Sequence, residues 1–188
     1  MRKKLIIKAP ILSRSGYGEQ SRFALEAVRS REDLFDIYII NLPWGSTGQV
    51  VEDNETTRYI KERVLQTGEY IQQGGQFDVS LQITVPNEFE KMAPINIGYT
   101  AGIETTKVSP EWIQKSNEEV DKIITISNHS RDVFLQTVYE AVVKETEQRV
   151  EYRCDTPIDV VHYPVRNYDN VDLDIELEHD FNYLVVSQ

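Results

Sequence analysis

Short apolar runs alternate along this chain with longer segments in which apolar residues recur at helical spacing. The short runs are rich in isoleucine and valine, and prolines follow several of them, as is typical of buried strands. We predict strands at 5–9, 35–42, 77–85, 95–99, 122–126 and 158–165, and helices at 19–29, 58–73, 110–119 and from 128 onward. Thr57, Ser109 and Ser127 are the predicted N-caps, and the last helix is expected to turn Val133, Phe134 and Val138 inward.

This alternation predicts the fold class. Parallel strands joined by helical crossovers form a mostly parallel sheet with helices on both faces. We therefore predict an α/β domain with a Rossmann-like, doubly wound sheet. Ligands of such sheets bind at the carboxyl ends of the strands, near the point where the strand order reverses. The turns after the strands are accordingly the places to search for a site.

Length and charge narrow the class of function. The 188 residues suit one domain or slightly more, and no apolar run approaches the ~20 residues of a membrane-spanning helix. The chain has 20 basic and 31 acidic residues and a net charge of −11, so its surface should repel nucleic acid and anionic lipid. Cys154 is the single cysteine and the three histidines are dispersed, so we expect neither a disulfide nor a metal site. These features predict a cytoplasmic domain.

The carboxyl-terminal segment differs in composition from the rest. Residues 1–166 hold all of the predicted sheet, whereas 167–180 are acidic and read as a surface connection. Residues 181–188 then form a fresh apolar run with a strand pattern. We interpret this run as the first strand of a second domain, or as a strand that docks back onto the sheet.

The first candidate site is the polar segment Ser15, Gly16, Tyr17 and Gly18, between the first strand and the first helix. Glycine allows a ligand to approach the backbone, and a helix that follows presents free N–H groups to an anion. A purely structural turn is the alternative. The dinucleotide-binding fingerprint fits badly, because Ser21 stands where its third glycine belongs and the second strand ends near Asn41 instead of an acidic residue.

The second candidate site follows the strand at 95–99. Tyr99, Thr100, Glu104 and Thr105 combine hydroxyls with one carboxylate, which suits hydrogen bonding to a polyol. A solvated loop that only caps the next helix is the alternative. Ser127 and His129, at the start of the last predicted helix, are further candidates, although a histidine at such a place is more often a polar surface residue near a cap. Trp44 and Trp112 could stack on a sugar, or could simply pack.

Together these residues resemble a known family. The middle third carries the most specific part of the pattern, which reads Y-T, E-T, P-x-W and S-x-x-S in order, and the resemblance extends over nearly the whole chain. It is similar to the amino-terminal domain of family 4 glycosyltransferases of the GT-B fold. The residues that carry the resemblance are Tyr99, Thr100, Glu104, Thr105, Pro110, Trp112, Ser127, Ser130, His162 and Pro164, with the glycines near Ser15 and the run that starts at Phe181.

The resemblance implies an enzyme that transfers a sugar from a nucleotide-sugar donor to an acceptor hydroxyl, with no metal or other cofactor. It implies that Ser15–Gly18 faces the donor diphosphate, and that Tyr99, Thr100, Glu104, Thr105, Ser127 and His129 line the acceptor side. The family's main catalytic glutamates belong in a carboxyl-terminal donor domain, which these 188 residues do not contain. We therefore expect little activity from this chain alone. The donor sugar, the acceptor and the stereochemical outcome stay open.

Two other functions remain possible at this point. A non-catalytic ligand-binding or regulatory module can be built on the same kind of sheet. An NAD-type oxidoreductase domain is the other, disfavoured by the poor dinucleotide fingerprint.

Overall fold

The central sheet of the protein has six strands, all parallel to their neighbours. The computed structural model describes residues 2–101, 103–142, 147–165, 169, 179 and 181–185. Their elements, in chain order, are β1 (Lys3–Ala9), α1 (Gly16–Arg29), β2 (Phe35–Asn41), α2 (Glu55–Gln72), β3 (Val79–Ile83), β4 (Ile95–Thr100), α3 (Pro110–Glu119), β5 (Lys122–Thr125), α4 (Asn128–Gln136), β6 (Val138–Val142), β7 (Arg149–Arg153) and β8 (Ile158–Val160). A single 3-10 turn, Pro86–Glu88, follows β3.

The strand order is β2-β1-β3-β4-β5-β8, which confirms the predicted Rossmann-like, doubly wound fold class. The chain first moves from β1 to β2 on one side, and then crosses to β3 on the other side of β1. The order therefore reverses between β1 and β3. Ligands of doubly wound sheets bind beside this position, at the carboxyl ends of the strands.

Helices cover both faces of the sheet. On one face Leu5 and Ile7 of β1 pack with Leu25 of α1 in a fully apolar cluster. On the other face Ile123 of β5 packs with Ile113 of α3 and with residues of α4. Helix α2 lies along the edge strand β2.

Gly98 shows how closely the second face is packed. A side chain at this position of β4 would begin 2.4 Å from the ring of Phe89. Phe89 follows the 3-10 turn and is only 1% exposed. The glycine thus lets the segment after β3 lie directly on the sheet, which holds the carboxyl end of β3 in place.

An apolar groove remains open on the face that α1 covers. It has a volume of about 300 Å³ and is lined by Phe23 and Ala27 of α1, by Tyr99 and Ile124 of the sheet, and by Pro164, among others. Parallel sheets are normally buried on both faces. In the described part of the chain, this part of the sheet face is therefore less buried by helices than parallel strands usually are.

The helix boundaries differ from the predictions at two amino termini. Helix α2 begins at Glu55, because the side chain of Asn54 accepts a hydrogen bond from the Thr57 N–H; Asn54, and not Thr57, is the N-cap. Helix α1 begins at Gly16, so the predicted glycine loop is instead the first turn of this helix. The N-caps Ser109 and Ser127 are confirmed.

The antiparallel hairpin of β6 and β7 was not predicted. Val138 belongs to β6 and is 38% exposed, so the expectation that it points inward from the preceding helix is wrong. Helix α4 ends earlier because Thr137 leaves the helical conformation. Strands β3 and β8 are also shorter than predicted: β3 covers Val79–Ile83 and β8 covers Ile158–Val160.

The predictions for the carboxyl-terminal segment stay predictions. Apart from 169 and 179, the acidic connection at 167–180 lies outside the described residues. Of the apolar run, 181–185 are described; they are exposed and pair with none of the described strands. Among the helices that the structure describes, none is both long and apolar enough to cross a membrane.

Candidate functional site

The amino terminus of α1 is built around two glycines with different roles. The Ser15 hydroxyl caps the helix by accepting the Gly18 N–H at 3.1 Å. A Cβ atom on Gly18 would lie 2.0 Å from the Ser13 carbonyl oxygen, so the close approach of the preceding backbone requires glycine there. A Cβ atom on Gly16 would meet no atom within 4 Å. The space beside Gly16 is therefore open.

Tyr17 joins this helix terminus to the end of β4. Its hydroxyl donates to the Ala101 carbonyl at 2.8 Å and accepts the Ala101 N–H at 3.0 Å. The same hydroxyl lies 2.9 Å from the Thr100 hydroxyl, which completes its hydrogen bonds. Burial raises the pKa of Tyr17, partly offset by the bonds to Thr100 and Ala101. The neutral phenol of Tyr17 thus links the first predicted site, at the start of α1, to the second, at the end of β4.

Two arginines near this terminus are already engaged. The Arg22 guanidinium donates to the carbonyls of Ile11 and Ser13, both at 2.9 Å, and to Glu19 at 2.8 Å. Arg14 pairs with Glu52 at 3.1 Å. Arg22 therefore braces the segment between β1 and α1.

Sequence reasoning missed the polar residues that follow β3. The buried hydroxyl of Thr84 donates to Oε2 of Glu88, which is exposed. Lys8 of β1 donates to the Glu88 carbonyl at 2.8 Å and pairs with Glu90 at 2.9 Å. These residues lie beside the reversal of strand order. A threonine and a carboxylate just after a buried strand are visible in the sequence, but the sequence does not show that this strand lies next to β1.

The remaining predicted residues follow β4 and β5, whose carboxyl ends lie at the same edge of the sheet. Glu104 and His129 are exposed there. The Thr105 hydroxyl donates to the Lys107 carbonyl at 2.7 Å, and the Ser127 hydroxyl accepts the Ser130 N–H at 3.1 Å. Ser127 is thus at least a helix cap. Of the described hydrogen bonds, none connects Glu104, Thr105 or His129 to the start of α1.

Tyrosines also line the inner side of the site. Tyr99 is only 8% exposed and packs in the core, so its ring faces the apolar groove. The Tyr163 hydroxyl donates to Oε1 of Gln20 at 3.2 Å. Burial, with the neighbouring Tyr99 and Tyr17, raises the pKa of Tyr163 to about 12. His162 Nδ1 lies 3.1 Å from the Ile126 carbonyl, which ties the ends of β8 and β5 together.

Two positions at which the dinucleotide-binding fingerprint fits badly, Asn41 and Ser21, form hydrogen bonds with the backbone of this chain. Oδ1 of Asn41 accepts the Leu12 N–H at 3.0 Å, and the buried Ser21 hydroxyl donates to the Tyr17 carbonyl at 2.6 Å. Trp44 packs on Tyr17, with 4.9 Å between the ring centroids, and stays partly exposed at the rim of the site.

In the residues that the structure describes, no group of three or more histidine, cysteine, aspartate or glutamate side chains is arranged to hold a metal ion. Cys154 is buried, and burial raises the pKa of its thiol, which disfavours the reactive thiolate. In comparisons with known proteins, no family model and no curated protein matches this chain.

Proposed function

We propose that this chain is the acceptor-side half of a glycosyltransferase, which transfers a sugar from a nucleotide-sugar donor to an acceptor hydroxyl. The observation that carries the proposal is the triple contact of the Tyr17 hydroxyl with Thr100 and Ala101. It joins the start of α1 to the hydroxyl-rich end of β4. The two segments meet at the edge where doubly wound sheets bind their ligands.

The start of α1 has the features that contact with a diphosphate requires. Helix amino termini carry partial positive charge and N–H groups that suit phosphate oxygens. The open space at Gly16 leaves room for such a ligand to reach the backbone. With Arg14 and Arg22 engaged by acidic residues, the helix terminus itself would make this contact.

The ends of β4 and β5 supply the groups that a saccharide needs. Hydroxyl, carboxylate and imidazole groups form the directional hydrogen bonds by which proteins orient sugars. Thr105, Glu104 and His129 follow these strands at one edge. Trp44, partly exposed at the rim, offers an aromatic face for a sugar ring.

We expect the chain by itself to show little transfer. Departure of the nucleoside diphosphate needs charge stabilisation within a closed, water-poor cleft, and this half supplies one wall. The measurement is sugar release or transfer from UDP-glucose, GDP-mannose and ADP-glucose by the 188-residue protein. Rapid turnover of any of them would contradict the assignment as one half of an enzyme.

Binding of saccharides tests the proposal directly. Amide shifts of the ¹⁵N-labelled protein are followed during titration with glucose, mannose, N-acetylglucosamine and myo-inositol. We expect at least one of them to shift the amides of Thr100, Thr105 and His129, with affinity of roughly millimolar strength, as a few hydrogen bonds supply. The variant Glu104→Gln should weaken that binding. Shifts absent for all four compounds, or confined to the far side of α1, would overturn the proposal.

A further inference from the structure

Glu88 occupies the position of the sheet edge where ligands are expected, although no motif points to it. It ends the 3-10 turn after β3, the strand next to β1. The strand order reverses between these two strands, so the turn that holds Glu88 follows β3 at the same edge of the sheet at which β1 leads into α1. Lys8 of β1 fixes the turn by donating to the Glu88 carbonyl at 2.8 Å.

The carboxylate of Glu88 is held by one oxygen only. The Thr84 hydroxyl donates to Oε2, and Thr84 is completely buried. In the described part of the chain, Oε1 accepts no hydrogen bond and the carboxylate has no ion-pair partner. Lys8 of β1, which donates to the Glu88 carbonyl, is paired with Glu90 at 2.9 Å instead. An oriented carboxylate with a free oxygen is ready to accept a hydrogen bond from a ligand.

The same carboxylate lies within electrostatic range of the Tyr17 phenol. Burial is the main cause of the raised pKa of Tyr17, and the negative charge of Glu88 adds to it. Tyr17 in turn contacts Thr100 at 2.9 Å. The charge of Glu88 thus acts on the phenol that joins the helix terminus to the end of β4.

We infer that Oε1 of Glu88 accepts a hydrogen bond from a hydroxyl of the acceptor saccharide and so orients the acceptor in the cleft. This assignment rests on the proposed function and adds a binding residue to it. A carboxylate accepts from a hydroxyl more strongly than a neutral group does. A saccharide with a free hydroxyl at that place would be preferred over its deoxy analogue, because the analogue leaves the carboxylate without a partner.

A purely structural role for Glu88 makes different predictions. If the hydrogen bond with Thr84 were the whole role of Glu88, the residue would only stabilise the 3-10 turn. Replacement would then lower the stability of the fold and leave the choice between hydroxyl and deoxy ligands unchanged. Ligand discrimination separates the two roles.

The experiment compares four forms of the protein: the native chain, Glu88→Ala, Asn87→Ala and Thr84→Ser. The probe is whichever of glucose, mannose, N-acetylglucosamine and myo-inositol shifts the Thr100 amide, together with its monodeoxy analogues. Asn87→Ala is the matched control, since Asn87 is exposed in the same turn. Thr84→Ser keeps the hydroxyl that orients Glu88. Thermal unfolding of each variant is measured alongside binding.

We expect Glu88→Ala to weaken binding of the parent saccharide roughly tenfold, as loss of a hydrogen bond to a charged group does. One deoxy analogue should bind the native chain and Glu88→Ala equally, which identifies the hydroxyl that is recognised. Asn87→Ala and Thr84→Ser should bind like the native chain. Equal affinity of Glu88→Ala for the parent saccharide would overturn this inference alone. A native chain that binds none of the saccharides would overturn the proposed function and this inference together.

Discussion

Gly16 and Gly18 show how two similar residues in one segment carry different constraints. We expect Gly18→Ala to lower the free energy of unfolding by about 1–3 kcal/mol, the usual cost of overpacking, because its Cβ atom would lie 2.0 Å from the Ser13 carbonyl oxygen. Gly16→Ala is the control and should be nearly neutral, since nothing lies within 4 Å of its added carbon. Urea unfolding of both variants is the measurement. Equal loss in the two would contradict these contrasting roles.

Ionisation of Tyr163 makes the free energy of unfolding depend on pH in a defined direction. Burial raises the pKa of Tyr163 from 10.0 to about 12, so the unfolded chain loses this proton at lower pH than the folded chain. The stabilising contribution of the phenol is complete below pH 10 and is lost as the pH rises toward 12.

The variant Tyr163→Phe isolates that contribution. It also removes the bond to Gln20, so at pH 8 we expect the variant to be less stable than the native chain. The difference in free energy of unfolding should narrow above pH 10. Tyr183→Phe serves as the control, because Tyr183 is 85% exposed. A difference that stays constant or widens over this range would contradict the assigned direction.

At the scale of single residues, the sequence pointed to both Gly16 and Gly18 but did not show that only Gly18 is in close contact with other backbone atoms. The clash at Gly18 depends on Ser13, whose backbone position is set by the tertiary fold. Glu88 was missed for the same reason. Nothing in its local sequence shows that β3 becomes the neighbour of β1, and only that pairing makes the residue relevant to a site.

The start of α2 is the clearest test at the scale of an element. Asn54 accepts the Thr57 N–H at 2.9 Å, so Asn54→Ala should cost about 1 kcal/mol of unfolding free energy, the usual value of an N-cap. Asn54→Asp keeps an accepting oxygen and is the matched control. Chemical denaturation measures both. If Asn54→Ala had the same free energy of unfolding as the native chain, another residue would have to be the N-cap.

Within the described residues, strong periodicity and buried apolar runs were sufficient to predict the four helices and the six strands of the sheet. The hairpin was missed because its strands are half-exposed and mix valine with charged residues: in β6, Val138, Glu140 and Val142 are all exposed. Five residues of this kind after a helix look like its continuation. Their pairing with Arg149–Arg153 supplies the stabilisation that local sequence does not show.

The whole molecule presents one sheet edge at which separate segments meet. The fold class followed from the alternation of strands and helices, and so did the expectation that a ligand binds at this edge. The contact between Tyr17 and Thr100 could not be predicted, because the two residues are far apart in sequence and meet only once β4 is placed in the sheet. This contact joins the start of α1 to the end of β4.

Binding of nucleotide ligands tests the central claim most directly. Titrations of the ¹⁵N-labelled chain with UDP-glucose, GDP-mannose, ADP-glucose and NAD compare the proposed transferase with the oxidoreductase alternative. We predict that at least one nucleotide sugar shifts the Gly16, Tyr17 and Gly18 amides, that Gly16→Val removes this effect, and that NAD leaves these amides unchanged. Tight NAD binding at this helix terminus, or nucleotide-sugar shifts that survive in Gly16→Val, would contradict the account.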